Sequence, residues 1–177
     1  MTGCVERYEA AAVTPDELRL AMAQFATGVT IVTSRDGADV PVGTTANAVC
    51  SVSLDPPLVL VCLDRKSLTL QALRNHGAFV LNVLGEAQRD LCGAFARRGS
   101  DGAWDGVPRH LCATATPALS EALATLDCSV ERIYPGGDHE IVIGRVIETC
   151  IQEGSAPLLF HRGAYARLAV AESVRSP

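Results

Sequence analysis

The stretch VGTTANAVCSVSLDPPLVLVCLDRKSLT, residues 42–69, leaves the chain few ways to fold. It begins with small and polar residues, Gly43-Thr44-Thr45-Ala46-Asn47. An alternating segment follows, with Val49, Ser51 and Ser53 on one side of an extended chain and Cys50, Val52 and Leu54 on the other. Asp55-Pro56-Pro57 then imposes a turn, because each proline fixes φ and removes a backbone donor. From Leu58 to Leu63 the chain is apolar without a break, the pattern of a strand buried on both faces. It runs into a polar elbow, Asp64-Arg65-Lys66-Ser67-Leu68-Thr69, where hydroxyls and cations lie close together. Two neighbouring strands that end in small donors suit a flat heterocycle carrying a phosphate tail.

The rest of the chain is read around that hairpin. Thr14-Pro15-Asp16-Glu17 is a helix start, with Thr14 as N-cap, proline in the first turn and Glu17 completing a capping box. Leu18, Ala21, Met22 and Phe25 share one face of this helix, and Gly28 ends it. Val29 to Thr33 reads as a strand, and Arg35-Asp36-Gly37-Ala38-Asp39 as a hairpin turn. A short helix is expected over Ser67 to Asn75, closed by His76-Gly77, then a strand over Phe79 to Leu84. Glu86 to Phe95 reads as helical, with Leu91, Ala94 and Phe95 turned inward. Leu111 to Pro117 is extended or irregular, and Ala118 to Ala124 a short turn or helix. Leu126 to Tyr134 and Glu140 to Glu148 alternate as strands around Pro135-Gly136-Gly137-Asp138-His139. Pro157 to Phe160 and Tyr165 to Leu168 make a terminal strand and turn. Residues 1–13 read as a flexible arm and 171–177 as a tail, which leaves one domain over 14–170. Many short strands with peripheral helices fit an antiparallel barrel, closed to remove raw edges. No GxGxxG or Walker loop is present, so a doubly wound nucleotide fold is not expected.

Charge narrows the function. Fifteen Lys and Arg stand against twenty Asp and Glu, for a formal net charge of −5, which excludes the basic surface of a nucleic-acid or anionic-membrane binder. No apolar run approaches the ~20 residues that span a bilayer, and the acidic N-terminal region has no apolar leader. A soluble, cytoplasmic protein is the expectation. The seven cysteines are odd in number and none is CxxC-spaced, so they read as small buried hydrophobes in a reducing compartment. No disulfide framework or metal site is expected. Lys66 is the chain's one lysine.

Several segments in order carry a family pattern. They are Phe25-Ala26-Thr27-Gly28-Val29-Thr30, Thr45-Ala46-Asn47, Ser51-Val52-Ser53-Leu54-Asp55-Pro56-Pro57 and Cys62-Leu63-Asp64-Arg65. Phe79-Val80-Leu81-Asn82-Val83-Leu84, Gly137-Asp138-His139 and Pro157-Leu158-Leu159-Phe160 follow. Together they resemble the short-chain flavin reductases, the reductase components of two-component flavin-dependent monooxygenases. That resemblance implies a mainly β fold, a flavin-binding split β-barrel of Greek-key type with peripheral helices. It also implies a homodimer in which NADH, in preference to NADPH, reduces FMN or FAD. Reduced flavin then passes to a partner monooxygenase.

The resemblance also suggests site residues. Thr44, Thr45, Ala46 and Asn47 would meet the flavin ring, although the same residues make an ordinary polar turn. Ser51 and Val52 would lie along the flavin, with Cys62, Leu63 and Asp64 on the adjoining strand. Lys66, Ser67 and Thr69 would hold phosphate where a helix begins; a capped helix with solvated charges fits them too. Phe95, Ala96, Arg97 and Arg98 match a segment near the flavin tail, the arginines being equally suited to an open surface. His139 is the catalytic candidate, set against the nicotinamide to orient it or assist proton movement. Tyr165 would cover the site or pack in the core. His76, His110 and His161 match nothing as specific. Where the family often carries an acidic-basic-aromatic run, this chain has Asp101-Gly102-Ala103-Trp104. Because hydride passes between cofactors, no nucleophile or acid–base dyad is required. Two other readings share the barrel: a flavin- or haem-binding protein without turnover, and an FMN oxidase of the pyridoxamine-phosphate type. The Gly-Asp-His turn favours the reductase.

Overall fold

The computed structural model describes residues 12–97, 103–153 and 156–168. Most of the expected N-terminal arm, the C-terminal tail, Arg98 and Asp101-Gly102 lie outside the described residues. The capping box at Thr14 and Glu17 forms as expected and starts helix α1, Pro15–Met22. That helix stops at Ala23, well before Gly28, because Thr27–Gly28 is already a short strand, β1. The predicted apolar face of α1 buries nothing among the described residues: Leu18, Met22 and Phe25 are all more than half exposed.

The main sheet is antiparallel and seven-stranded. Its strands are β2 (Thr30–Arg35), β3 (Pro41–Ala46), β4 (Val49–Leu54), β5 (Pro57–Asp64), β6 (Ala78–Val83), β9 (Ala124–Gly136) and β10 (His139–Ile151). They run in the order β3-β2-β6-β9-β10-β5-β4. The barrel expected to close on itself does not: β3 and β4 are the two ends of the sheet and do not pair with each other. The Asp36 carboxylate makes the β2–β3 turn by accepting from the Ala38 and Val40 amides, and Asp39 takes the left-handed position at φ 61°.

Helix α2 (Leu68–His76) begins at Ser67, whose hydroxyl accepts from the Leu70 amide. It ends on Gly77 at φ 77°, a left-handed C-cap that glycine adopts without strain. The segment expected as one helix from Glu86 splits into a 3-10 turn, Glu86–Gln88, and helix α3, Arg89–Phe95. The region from Leu111 to Ala124 is not helical. Arg109–Leu111 (β7) and Pro117–Leu119 (β8) pair as a small ribbon. Leu159–His161 (β11) bridges β1 and Ala164–Ala166 (β12) in a third, three-stranded sheet.

Period-two alternation sorts side chains into two cores. On one face of the main sheet Val32, Phe79, Leu81, Val61 and Val142 enclose Leu70 and Leu73 of α2. On the other, Ile31 and Val29 meet Cys92 and Phe95 of α3, with Leu119 and Leu158. Gly144 makes room for Phe79: a Cβ there would sit 2.4 Å from the ring's Cζ. The apolar run of β5 corrects its reading. Val59, Val61 and Leu63 are buried, but Leu58, Leu60 and Cys62 on the other face are only half-buried, because no layer of the described residues covers them fully. In β4 a register shift between Ser51 and Ser53 breaks the expected alternation. The six described cysteines are free thiols, and Cys50 and Cys150 are exposed instead of buried.

Candidate active site

Three segments distant in sequence meet at one end of the sheet. The C-terminal end of β3 and the following residues bring Thr44 to Ala48, the end of β5 and its elbow bring Cys62, Leu63, Asp64 and Ser67, and the start of β10 brings His139. They line a cleft of about 190 Å³. Asn47, Ala48 and Asp64 are exposed, so the cleft opens to solvent. The pairing of His139 with Asp64 across β10 and β5 sets the histidine beside the elbow. The Arg65 amide donates to the Asp138 carbonyl at 3.2 Å and ties the β9–β10 turn to the same place.

Hydrogen bonds divide these residues into struts and available groups. The Thr45 hydroxyl donates to the Cys92 carbonyl at 2.8 Å and fastens β3 to α3. The Ala46 carbonyl is taken by the Thr30 hydroxyl at 2.6 Å. Asp64 accepts from the Lys66 amide at 2.7 Å, which shapes the elbow. Among the described residues the Thr44 hydroxyl and Asn47 amide have no protein partner, and Ser67 accepts one bond while its O–H remains free to donate. Donors at the rim and a low-bulk floor of Ala46, Ala48 and Cys62 fit a planar, acceptor-rich ring. The first amides of α2 add an anion-favouring end beside Ser67.

His139 is half-buried, and its Nδ1 lies 2.7 Å from Asp138 Oδ1. An ionised carboxylate only accepts, so Nδ1 carries the proton and Nε2 is the ring's remaining polar atom. The same hydrogen bond, with the nearby imidazole charge, holds the Asp138 carboxyl below the usual carboxylate range. The next residue, Glu140, has a largely buried side chain that ion-pairs with Arg74 of α2 and lies 4.0 Å from Arg65. This pair of arginines around one carboxylate clamps the histidine turn to the elbow. Sequence reading missed Glu140, Arg74 and Ala48. The acid interrupting an otherwise apolar strand start was the one available signal.

The other predicted residues fall elsewhere. Ser51 and Val52 are exposed on the edge strand β4 and do not line the cleft. Thr69 is buried inside α2. The Phe95 side chain is 1% exposed, lies under Gly43 and meets Trp104 edge-on at 4.9 Å, so it offers no surface to a ligand. Lys66 is exposed beside the elbow, and Ala96 caps α3. Arg97 and Tyr165 line a second groove along α3. There the Tyr165 hydroxyl donates to Cys92 Sγ at 3.0 Å, which raises the phenol's pKa above its ordinary value. Among the described residues, no group of three His, Cys, Asp or Glu is arranged to hold a metal ion, and no helix is long and apolar enough to cross a membrane.

Comparison with known proteins shows the family of the chain. Residues 22–169 match the family described as Flavin reductase like domain. The reductase subunit of a flavin-dependent monooxygenase from Rhodococcus jostii is 38% identical over 95% of this chain and 85% of that protein. A flavin reductase from Pseudomonas putida is 33% identical over 96% of this chain and 99% of that one. Among solved structures, a Streptomyces globisporus NADH:FAD oxidoreductase in complex with NAD and FAD fragments aligns with a TM-score of 0.81 at 36% identity. That alignment covers 90% of this chain and 98% of that chain. Matched over most of its length, and more than 30% identical to these two relatives, the chain belongs to the flavin reductase like domain family.

Proposed function

We propose that this protein is a flavin reductase that uses NADH to reduce FMN or FAD and supplies the reduced flavin to a partner monooxygenase. One observation carries the reading: Thr44–Ala48, the Asp64–Ser67 elbow and His139 converge on one cleft whose groups suit a flat ring with a phosphate tail. The nicotinamide and flavin supply the hydride chemistry between them. The chain's task is to bind and align. Thr44 and Asn47 donate to the acceptor edge of the ring, while Ala46 and Ala48 keep one face free of bulk. Ser67 and the first amides of α2 take the phosphate. His139, with Nδ1 held by Asp138, presents Nε2 to the nicotinamide nucleotide. Glu140 keeps that histidine in place through Arg74 and Arg65.

The same reading includes a split-barrel homodimer working in the cytoplasm. The uncovered apolar groups of β4, β5 and α1, among them Leu54 at 94% exposure, support a second copy as their cover. The free thiols of the described residues suit a reducing compartment.

The test is anaerobic. Protein mixed with NADH and a large excess of FMN bleaches the flavin absorbance over many turnovers. Binding at one flavin per chain with no bleaching would replace this reading with a flavin carrier. His139→Ala raises the KM for NADH more than that for flavin; unchanged kinetics in that variant remove His139 from the site.

A further inference from the structure

Two cysteines from separate segments share one face of the main sheet. In the β9–β10 register Glu148 stands opposite Asp127, and Cys150 opposite Thr125. Residues directly opposite in an antiparallel pair point to the same side, so these four side chains lie on one face. The β7–β8 ribbon covers that face. Asp127, 1% exposed, accepts from the Thr114 amide at 2.9 Å and from the Thr114 hydroxyl at 2.5 Å. Those bonds fasten the turn between β7 and β8, which the Cys112 amide closes by donating to the Thr116 carbonyl at 3.0 Å. Cys112 therefore sits at the mouth of that turn, beside Asp127. The ribbon is held again past the end of β10, where the Gln152 side-chain amide donates to the Ser120 carbonyl. Cys150 lies between the two fastenings.

The two thiols differ in setting. β5 pairs with β10 only as far as Arg145, so among the described residues no strand flanks β10 on that side from Val146 onward, and Cys150 is exposed. Cys112 is half-buried. Burial, with the charges of Asp127, Glu148 and Cys150 close by, pushes its thiol up to about 11. A thiol held protonated is a poor attacker, so an oxidant from solution meets Cys150 first. Of the other described cysteines, Cys92 and Cys128 are buried, and Cys50 and Cys62 belong to β4 and β5.

We propose that Cys150 and Cys112 form a dithiol that hydrogen peroxide oxidises to a disulfide, stapling the β7–β8 ribbon to β10. This inference goes beyond the reductase reading and rests on it for the source of the oxidant alone: reduced flavin that meets dioxygen before a monooxygenase gives oxidised flavin and hydrogen peroxide. The Cys150 thiol loses its proton and its sulfur attacks a peroxide oxygen. An S–O bond forms, the O–O bond breaks, and the hydroxide that leaves takes up a proton as water. The product is a sulfenic acid. Cys112 Sγ then attacks Cys150 Sγ; the S–S bond forms, the S–O bond breaks, and the departing hydroxide carries off the Cys112 proton as a second water. Two thiols have lost two electrons to one peroxide. The bridge encloses residues 112–150, which restricts the unfolded chain and stabilises the fold while peroxide persists. In a reducing compartment thiol exchange opens it again.

The experiment treats the full chain with hydrogen peroxide and maps disulfides by mass spectrometry of peptides cut without reductant. The expected result is a peptide pair linked through Cys112 and Cys150, loss of two of the seven thiols and a higher urea midpoint. Dithiothreitol reverses all three. Cys112→Ser stops at the sulfenic acid, which dimedone traps on Cys150, and Cys150→Ser gives no linked peptide. Both variants reduce FMN as the unaltered protein does. Linkage through Cys50, linkage between chains, or survival of all seven thiols overturns the assignment. With NADH and FMN in air and no added peroxide, the same bridge accumulates and catalase prevents it; a bridge that catalase does not slow overturns the role of peroxide. Failure to consume NADH would overturn the reductase reading and leave the response to added peroxide standing, so the two failures are distinct.

Discussion

Strands β2 and β4 are built from similar residues and meet opposite fates. β2 reads Thr-Ile-Val-Thr-Ser-Arg, and β4 reads Val-Cys-Ser-Val-Ser-Leu. In β2 the first five residues are buried, and each hydroxyl there donates to a backbone carbonyl: Thr30 to Ala46, Thr33 to Pro117 and Ser34 to Ala78. In β4 no residue is buried, and Val52 and Leu54 stand in solvent. The difference is position. β2 has a neighbour on each side and a core on each face, whereas β4 ends the sheet, with no further strand of the described residues beyond it. Hydroxyls can be buried where a carbonyl waits for them.

The sharpest way to break this comparison is to remove the polar group that β2 and β6 share. Asn82 is fully buried; its Nδ2 donates to the Ile31 carbonyl and Thr33 hydroxyl, and its Oδ1 accepts from the Leu119 amide. Asn82→Ala strands those partners and lowers stability by about 3 kcal/mol, read from urea unfolding. Gly144→Ala pushes a methyl into the Phe79 ring and costs about 2 kcal/mol, measured in the same way.

If β4 forms the contact of the proposed homodimer, changes there act on assembly, with much less effect on the chain's own fold. Leu54→Arg leaves the circular dichroism unchanged and alters stability of the isolated chain by less than about 0.5 kcal/mol. Light scattering tests the proposed homodimer: the expected outcome is a shift from dimer mass towards monomer mass. A mutant that keeps the same mass as the unaltered protein removes β4 from the subunit contact.

A smaller, pH-dependent effect belongs to the buried side. Arg35 Nε donates to His76 Nδ1, and His76 Nε2 lies 3.0 Å from the Thr116 hydroxyl. Burial, then the Arg35 charge, lowers the His76 pKa below its usual 6.5, with Thr114, Asp39 and Asp127 opposing. The unfolded chain therefore takes up this proton first. The stability contributed by neutral His76 is complete above pH 6.5 and is lost as pH falls through the lowered folded value. Urea midpoints between pH 5 and pH 8 should fall more steeply for the unaltered protein than for His76→Gln, by about the width of that shift. Parallel profiles would remove His76 as the source.

Much of the candidate site was legible because its signals are local. The elbow after β5 showed in Asp64 and Ser67, which bond to amides two and three residues ahead. The Gly-Asp-His turn showed in its residue types, and the family pattern set it against the Thr-Ala-Asn segment. What stayed hidden depends on distant partners. Thr45 is a strut because of a carbonyl 47 positions away, and Glu140 is a clamp because of an arginine 66 positions away. Phe95 looked like a ligand contact, yet Gly43 draws its ring into the core.

By itself the sequence determined where α1 and α2 begin and where the β2–β3 and β9–β10 hairpins turn. Those outcomes follow from bonds among neighbouring residues. Only the tertiary structure decided that β5 has one buried face, that the sheet stays open between β3 and β4, and that Arg97 and Tyr165 face a groove of their own. The physical reason is that burial and hydrogen-bond satisfaction are properties of the space between elements, and residue order leaves that space undefined until the elements meet.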